Sequence, residues 1–164
     1  MGAGKSTIGR RLARRLGISF VDADTEIERA AGKSVSDIFT EDGEDFFRSG
    51  EERVIARLLK SPPQVLATGG GAWISKKTRD GVAKTGISLW LRADFDVLME
   101  RVLRRPTRPL LQNADPQAVM RCLIKSRYPL YEKADITVQS RPVDHQVIVN
   151  DTIRALAEYM EKSQ

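Results

Sequence analysis

The run Gly2-Ala3-Gly4-Lys5-Ser6-Thr7 constrains what this chain can fold into more than any other feature. It matches the second half of the G-x-x-x-x-G-K-[ST] phosphate loop and leads straight into helical apolar spacing at Ile8, Leu12 and Leu16, with Gly17 as a stop. Glycines let backbone N–H groups converge on phosphate oxygens, and a helix N-terminus adds partial positive charge. In such a loop Lys5 reaches the β- and γ-phosphates of ATP, Ser6 offers its hydroxyl to Mg2+, and Gly2, Ala3, Gly4 and Thr7 complete the cradle. A tight glycine turn before a helix is the alternative, but it gives the Lys-Ser pair at the helix start no packing purpose. The motif's first glycine, and the buried strand that precedes such a loop in doubly wound folds, would lie upstream of Met1. The expectation is therefore that the natural protein begins earlier, that Met1 is an internal methionine, and that the first strand of the fold is missing here.

Beyond the loop, short strand-like apolar runs alternate with longer helix-like ones, the pattern of an α/β fold whose parallel sheet carries helices on both faces. The spacing predicts helices over 5–16, 25–31, 34–39, 44–60, 76–84, 94–104, 117–133 (broken near Pro129) and 146–161. Strands are predicted over 18–21, 64–68, 87–91 and 136–138. Ser34 and Asp37 form a plausible helix cap. Phe95, Leu98, Val102 and Leu103 are the expected inward residues of their helix, and 105–115, with Pro106 and Pro109, reads as a mobile loop.

A chain of 164 residues, 41% hydrophobic, supports one domain over 1–164. No stretch approaches the roughly 20 apolar residues of a membrane span. The N-terminus lacks the apolar core of a secretory signal, and the single cysteine, Cys122, cannot form an intrachain disulfide, so a reducing cytoplasm is the expected compartment. The net charge of +5 fits a nucleic-acid binder and a pocket for polyanions equally well.

Asp22 and Asp24 fall at the carboxyl end of the second expected strand, the edge at which such sheets bind ligands, and alternation sends both to one side. One carboxylate there can hold Mg2+ through water while another accepts the proton of an attacking hydroxyl; Asp24 could instead simply cap the next helix. Arg48 and Glu51 are three apart on a helix, so Glu51 can hold the Arg48 guanidinium, whose planar fork suits a carboxylate; an ordinary helical ion pair is the alternative. Gly69, Gly70 and Gly71 follow a strand, which favours close approach of a ligand to backbone over a plain turn. Cys122 sits at apolar spacing and is expected in the core, His145 on the surface, and Trp73 and Trp90 against helices, with Trp73 near enough to the glycines to touch a substrate.

Taken in order, GAGKST, DAD, Phe47-Arg48-x-x-Glu51, LATGGGA, RPLL and SRYPLY resemble the shikimate kinase family over nearly the whole chain. The resemblance implies a three-layer P-loop kinase fold, nucleoside-monophosphate-kinase-like, with a five-stranded parallel sheet and a lid. It implies transfer of the γ-phosphoryl group of MgATP to the 3-hydroxyl of shikimate, a step towards chorismate and the aromatic amino acids. A monomer that binds neither nucleic acid nor membrane is expected. By matching motif, Gly2 to Thr7 would cradle ATP, Ser6 would ligate Mg2+, and Asp22 would hold a magnesium-bound water. Asp24 matches the catalytic aspartate at the substrate hydroxyl, with Lys5 and Arg108 also catalytic. Arg48 and Arg127 match the pair that grips the substrate carboxylate, and Gly70, flanked by Gly69 and Gly71, matches a backbone contact to the ring. Arg108, in RPLL, matches the lid arginine that reaches ATP, with Arg104 and Arg105 weaker candidates, and Arg141 is the choice for the adenine-contacting loop over 140–144.

Three other readings share parts of this pattern: a gluconate-kinase-like enzyme, a nucleotide kinase of the same fold, and a non-catalytic nucleotide-binding module using the basic surface on RNA. A nucleotide acceptor predicts a base-recognition pocket, whereas paired arginines favour a small carboxylate. Scattered basic residues and only 6% aromatics speak against RNA.

Overall fold

The fold is known from a computed structural model, which describes residues 2–104 and 115–162. Its elements alternate as the sequence pattern requires: α1 (Lys5–Leu16), β1 (Ser19–Asp22), α2 (Ala23–Ala31), α3 (Val35–Glu41), α4 (Gly43–Leu58), β2 (Gln64–Ala67), a 3-10 turn (Ala72–Ile74), α5 (Lys76–Thr85), β3 (Leu89–Arg92), α6 (Phe95–Leu103), α7 (Pro116–Tyr131), β4 (Ile136–Gln139) and α8 (His145–Lys162). The strands form two parallel pairs flanked by helices, an α/β architecture. No helix among the described residues is long and apolar enough to cross a membrane.

The chain divides into two compact units, one comprising Met1–Ile8 with Ser88–Gln164, the other Gly9–Ile87. Within the second, β1 pairs with β2 in the register Asp22↔Ala67, so the segments after both strands leave the same edge. The connection between them runs through α2, α3 and α4, as parallel pairing demands. Helix α4 buries Phe47, Val54, Ile55 and Leu58 at helical spacing, and Phe47, Val54 and Leu58 pack with Ile27 and Ile38. Full burial of a side chain such as Ile38 or Ile55 contributes about 1.5–3 kcal/mol. Gly9 of α1 is needed for contact, since a Cβ there would lie 2.7 Å from Phe20 Cε2.

In the first unit, β3 and β4 pair in the register Arg92↔Gln139. Ile8, Leu91, Ile136, Val138, Ile148 and Val149 form one cluster, and Ala93, Leu98, Met99, Val102 and Met120 another. Asp135 accepts from both the Ser88 amide (2.8 Å) and hydroxyl (2.5 Å), which ties the entry of β4 to that of β3.

Several sequence expectations change. Helix α2 starts at Ala23, so Asp24 lies in its first turn rather than on a strand, and strand alternation does not orient it. The cap is Asp22, whose Oδ1 accepts from Asp24 N at 3.2 Å, a contact worth about 1 kcal/mol. Leu103 is 65% exposed because the buried stripe of α6 is Leu98, Met99 and Val102. Cys122 is exposed as well: α7 turns Met120 inward, and a residue two further on points to the opposite side. Pro129 sits inside α7, which runs through it to Tyr131 without a break. The Ser34 cap forms, accepting from Asp37 N at 3.1 Å. His145 is exposed, Trp90 is buried against Tyr128 and Tyr131, and Trp73 is half-buried in the 3-10 turn.

Candidate active site

The phosphate loop belongs to the first unit, and its backbone has the conformation that the glycines predict. Gly2 and Gly4 have φ of +71° and +88°, in the left-handed region that L side chains avoid. Gly2 is required twice over, because a Cβ there would come within 3.2 Å of both Leu98 O and Val102 Cγ2 on α6. Helix α1 then begins at Lys5, closed by a bond from Ile8 N to Gly4 O (2.9 Å), and no acidic residue occupies its first turn. A helix start without its own carboxylate suits an anion. Lys5 is half-buried and Ser6 exposed.

The loop is fixed from behind by two residues that the sequence reading did not single out. Ser140 Oγ donates to Ala3 O (3.0 Å), and Arg101 donates to Gly2 O (3.3 Å), Ser140 Oγ (2.8 Å) and Arg141 O (2.8 Å). Arg101 falls three after Leu98 on the inward side of α6, a visible sign that its stem is drawn inward. Arg141, the expected adenine contact, is exposed and its guanidinium donates to Asp151 at 2.5 Å. Arg127 is half-buried on α7 and borders a small cavity with Leu98, Met120, Leu123, Ile124, Tyr128 and Tyr131. Tyr128, whose hydroxyl donates to Ala93 O (2.5 Å), braces this helix against the strand exit. Arg105 and Arg108 lie outside the described residues; Arg104, at the end of α6, donates to Glu100 at 2.5 Å.

The second unit gathers most of the expected substrate residues at the edge where β1 and β2 end. Arg48 donates to Glu51 Oε2 (2.7 Å) and to Glu44 Oε1 (3.1 Å), and its cation lies 5.1 Å from the Phe47 ring and 5.9 Å from that of Phe39. Partial burial opposes its charge, but hydrogen bonds and attraction from Glu51, then Glu44, outweigh it and raise the guanidinium pKa. Glu51 is only 2% exposed, yet it occupies the same stripe of α4 as Phe47, Val54 and Leu58. A carboxylate at a core position is held there for its partner, because an unpaired buried charge is costly.

The three glycines fit around this pair. A Cβ at Gly69 would lie 3.1 Å from Glu51 Oε1 and 3.3 Å from Asp24 Oδ1, and one at Gly71 would fall inside 3.0 Å of three guanidinium atoms of Arg48. Asp24, Glu51, Arg48, Gly69 and Gly71 thus form one constellation: an exposed carboxylate, a buried carboxylate and an oriented guanidinium around bare backbone. Phe39 and Phe47, with ring centroids 4.6 Å apart and planes tilted by 35°, wall it on the α3–α4 side. The sequence carried the Phe47 signal only as an apolar residue beside Arg48.

Among the described residues no group of three or more His, Cys, Asp or Glu is placed to hold a metal ion. A Mg2+ carried in by nucleotide phosphates needs only one or two protein ligands, and within the first unit the exposed Ser6 hydroxyl is a donor of the required oxygen type.

The chain is similar in sequence and in overall fold to known proteins. The family model described as shikimate kinase matches residues 1–157. The shikimate kinase of Rhodopseudomonas palustris is 54% identical over 160 residues, covering 98% of this chain and 79% of that protein. The shikimate kinase of Brucella canis is 51% identical over 164 residues, covering 100% of this chain and 82% of that one. Among solved structures, shikimate kinase from Acinetobacter baumannii in complex with shikimate superposes with a TM-score of 0.91 at 36% identity, covering 96% of this chain and 89% of that chain. Shikimate kinase from Aquifex aeolicus superposes at 0.81 and 30% identity, covering 96% and 92% respectively. With its phosphate loop, its oriented Arg48 and a match along nearly its whole length, the chain belongs to the shikimate kinase family.

Proposed function

We propose that this protein phosphorylates the 3-hydroxyl of shikimate with ATP, giving shikimate 3-phosphate and ADP, and that Mg2+ accompanies the nucleotide. The observation that carries the reading is the Asp24–Arg48–Glu51 constellation around Gly69 and Gly71, in a chain whose helix α1 opens with a phosphate loop. A fork held by Glu51 and Glu44 is prepared for a small carboxylate, which shikimate has and a simple sugar lacks.

In this mechanism the amides of Gly2 to Thr7 and the Lys5 ammonium hold the phosphates of ATP, while Ser6, and Asp22 through water, would hold the metal. When bound, Mg2+ would supply charge compensation at the phosphoryl oxygens. Arg48 and Arg127 are assigned to the substrate carboxylate and Gly70 to its ring. Asp24, exposed and beside bare backbone, accepts the proton of the attacking hydroxyl. The remaining catalysis is alignment and exclusion of water, because the transferred group needs little covalent help. Arg108 is assigned to charge on the transferring group and Arg141 to the adenine.

The deciding experiment supplies MgATP with shikimate, gluconate, nucleoside monophosphates and a panel of other hydroxy acids, and follows ADP release. Shikimate-dependent release with the highest kcat/KM is expected. Preference for gluconate or a nucleotide, or nucleotide binding with no acceptor at all, would overturn the proposal.

A further inference from the structure

Arg101 and Ser140 hold two consecutive carbonyls of the phosphate loop, and the consequence follows from peptide geometry. In a trans peptide the C=O of one residue and the N–H of the next point in opposite directions. Gly2 O accepts from Arg101 (3.3 Å), so the Ala3 N–H is turned to the other side; Ala3 O accepts from Ser140 Oγ (3.0 Å), so the Gly4 N–H is turned likewise. Ser140 is itself fixed: it is 2% exposed, its amide donates to Arg92 O (2.6 Å) at the end of the β3–β4 ladder, and its hydroxyl accepts from Arg101 (2.8 Å). Arg101 adds a second anchor through Arg141 O (2.8 Å).

We infer that Arg101 and Ser140 are positioning residues for nucleotide binding, aiming the Ala3 and Gly4 amides at the anionic phosphates before the ligand arrives. The left-handed φ of Gly2 and Gly4 makes this orientation possible, but glycine permits the opposite flips as readily. The carbonyl tethers select one of them. Such donors bind without a reorganisation cost only if they are held in place beforehand. The inference rests on the proposed reading of Gly2 to Thr7 as the ATP cradle.

The test compares Ser140→Ala and Arg101→Gln with the unaltered protein by titration with MgADP and, separately, with shikimate, alongside thermal unfolding. Each substitution is expected to raise the Kd for MgADP about tenfold, equivalent to 1.4 kcal/mol, and to raise the ATP KM more than it lowers kcat. The shikimate Kd should stay within about twofold. In 15N spectra the Ala3 and Gly4 amides should lose most of the shift that MgADP induces in the unaltered protein. Should one variant unfold, the other carries the test, since each removes a different tether. Folded variants with unchanged MgADP affinity, or with MgADP and shikimate affinities falling together, would overturn the inference. Failure of the unaltered protein to bind MgADP would instead remove the reading on which it rests.

Discussion

The guanidinium of Arg48 lies against the backbone of Gly71 so closely that a methyl group on that glycine would fall inside 3.0 Å of its Nη1, Cζ and Nη2 atoms. Gly71 has an ordinary helical φ of −71°, so its lack of a side chain serves space and not backbone strain. The atoms in the way are the far end of a flexible side chain, which can move. Gly71→Ala is therefore expected to leave Tm within a few degrees while displacing Arg48, raising the shikimate KM about tenfold or more with ATP KM little changed. Steady-state kinetics against both substrates checks this, and an unchanged shikimate KM would separate Gly71 from the carboxylate grip.

Asp24 is the exposed carboxylate of the constellation and the assigned general base. Asp24→Asn preserves its shape and removes its basicity, so kcat should fall at least about a hundredfold, a typical loss for such a group. MgADP binding, measured by titration, should remain near that of the unaltered protein. Unchanged turnover would take Asp24 out of the chemistry.

Arg48 and Arg127 should act on the acceptor substrate and spare the nucleotide. Arg48→Lys is the sharper variant, because it keeps a positive charge beside buried Glu51 while losing the planar fork. It should raise the shikimate KM well above any change in ATP KM, as should Arg127→Ala. Arg48→Ala should do the same and also lower Tm, since it leaves Glu51 buried without the guanidinium. Equal effects on both ligands would contradict the assignment.

Asp135 supplies a pH prediction independent of the active site. Burial pushes its carboxyl up, but the hydroxyl and amide of Ser88, with help from Tyr159, outweigh that and hold the pKa below its usual 3.8. A carboxyl depressed by folding gives stability that is complete above 3.8 and is lost as pH falls through the lower, folded value. Ser88→Ala weakens the depression, so its destabilisation should be largest near neutral pH and shrink towards pH 3. Acid unfolding followed by circular dichroism measures this; a cost independent of pH would contradict it.

Much of the molecule is legible in its sequence. Helix α1 and the starts of β2 and α5 fall where the periodicity puts them, because apolar spacing and flanking Gly, Ser and Pro act locally. The elements that shifted did so under tertiary influence. Asp22, and not Asp24, caps α2 because pairing with Ala67 extends β1 to Asp22 and leaves Asp24 to the helix. Cys122 and Leu103 are exposed because α7 and α6 each turn a neighbouring stripe inward, a choice that spacing alone leaves open.

The sequence by itself determined which chemistry the chain carries: glycines, lysine and serine at a helix start, and an arginine with a glutamate three residues later on the apolar stripe of α4. These are local facts of residue type and spacing, and a chain displays them whether folded or not. Only the tertiary structure decided how that chemistry is held. Arg101 and Ser140 stand 99 and 137 residues from the loop carbonyls they bind, and Gly71 meets Arg48 across the β1–β2 unit. Contacts between positions so far apart in the chain exist only once helices and parallel strands have packed, because no short-range pattern encodes the space that a missing side chain leaves for another residue.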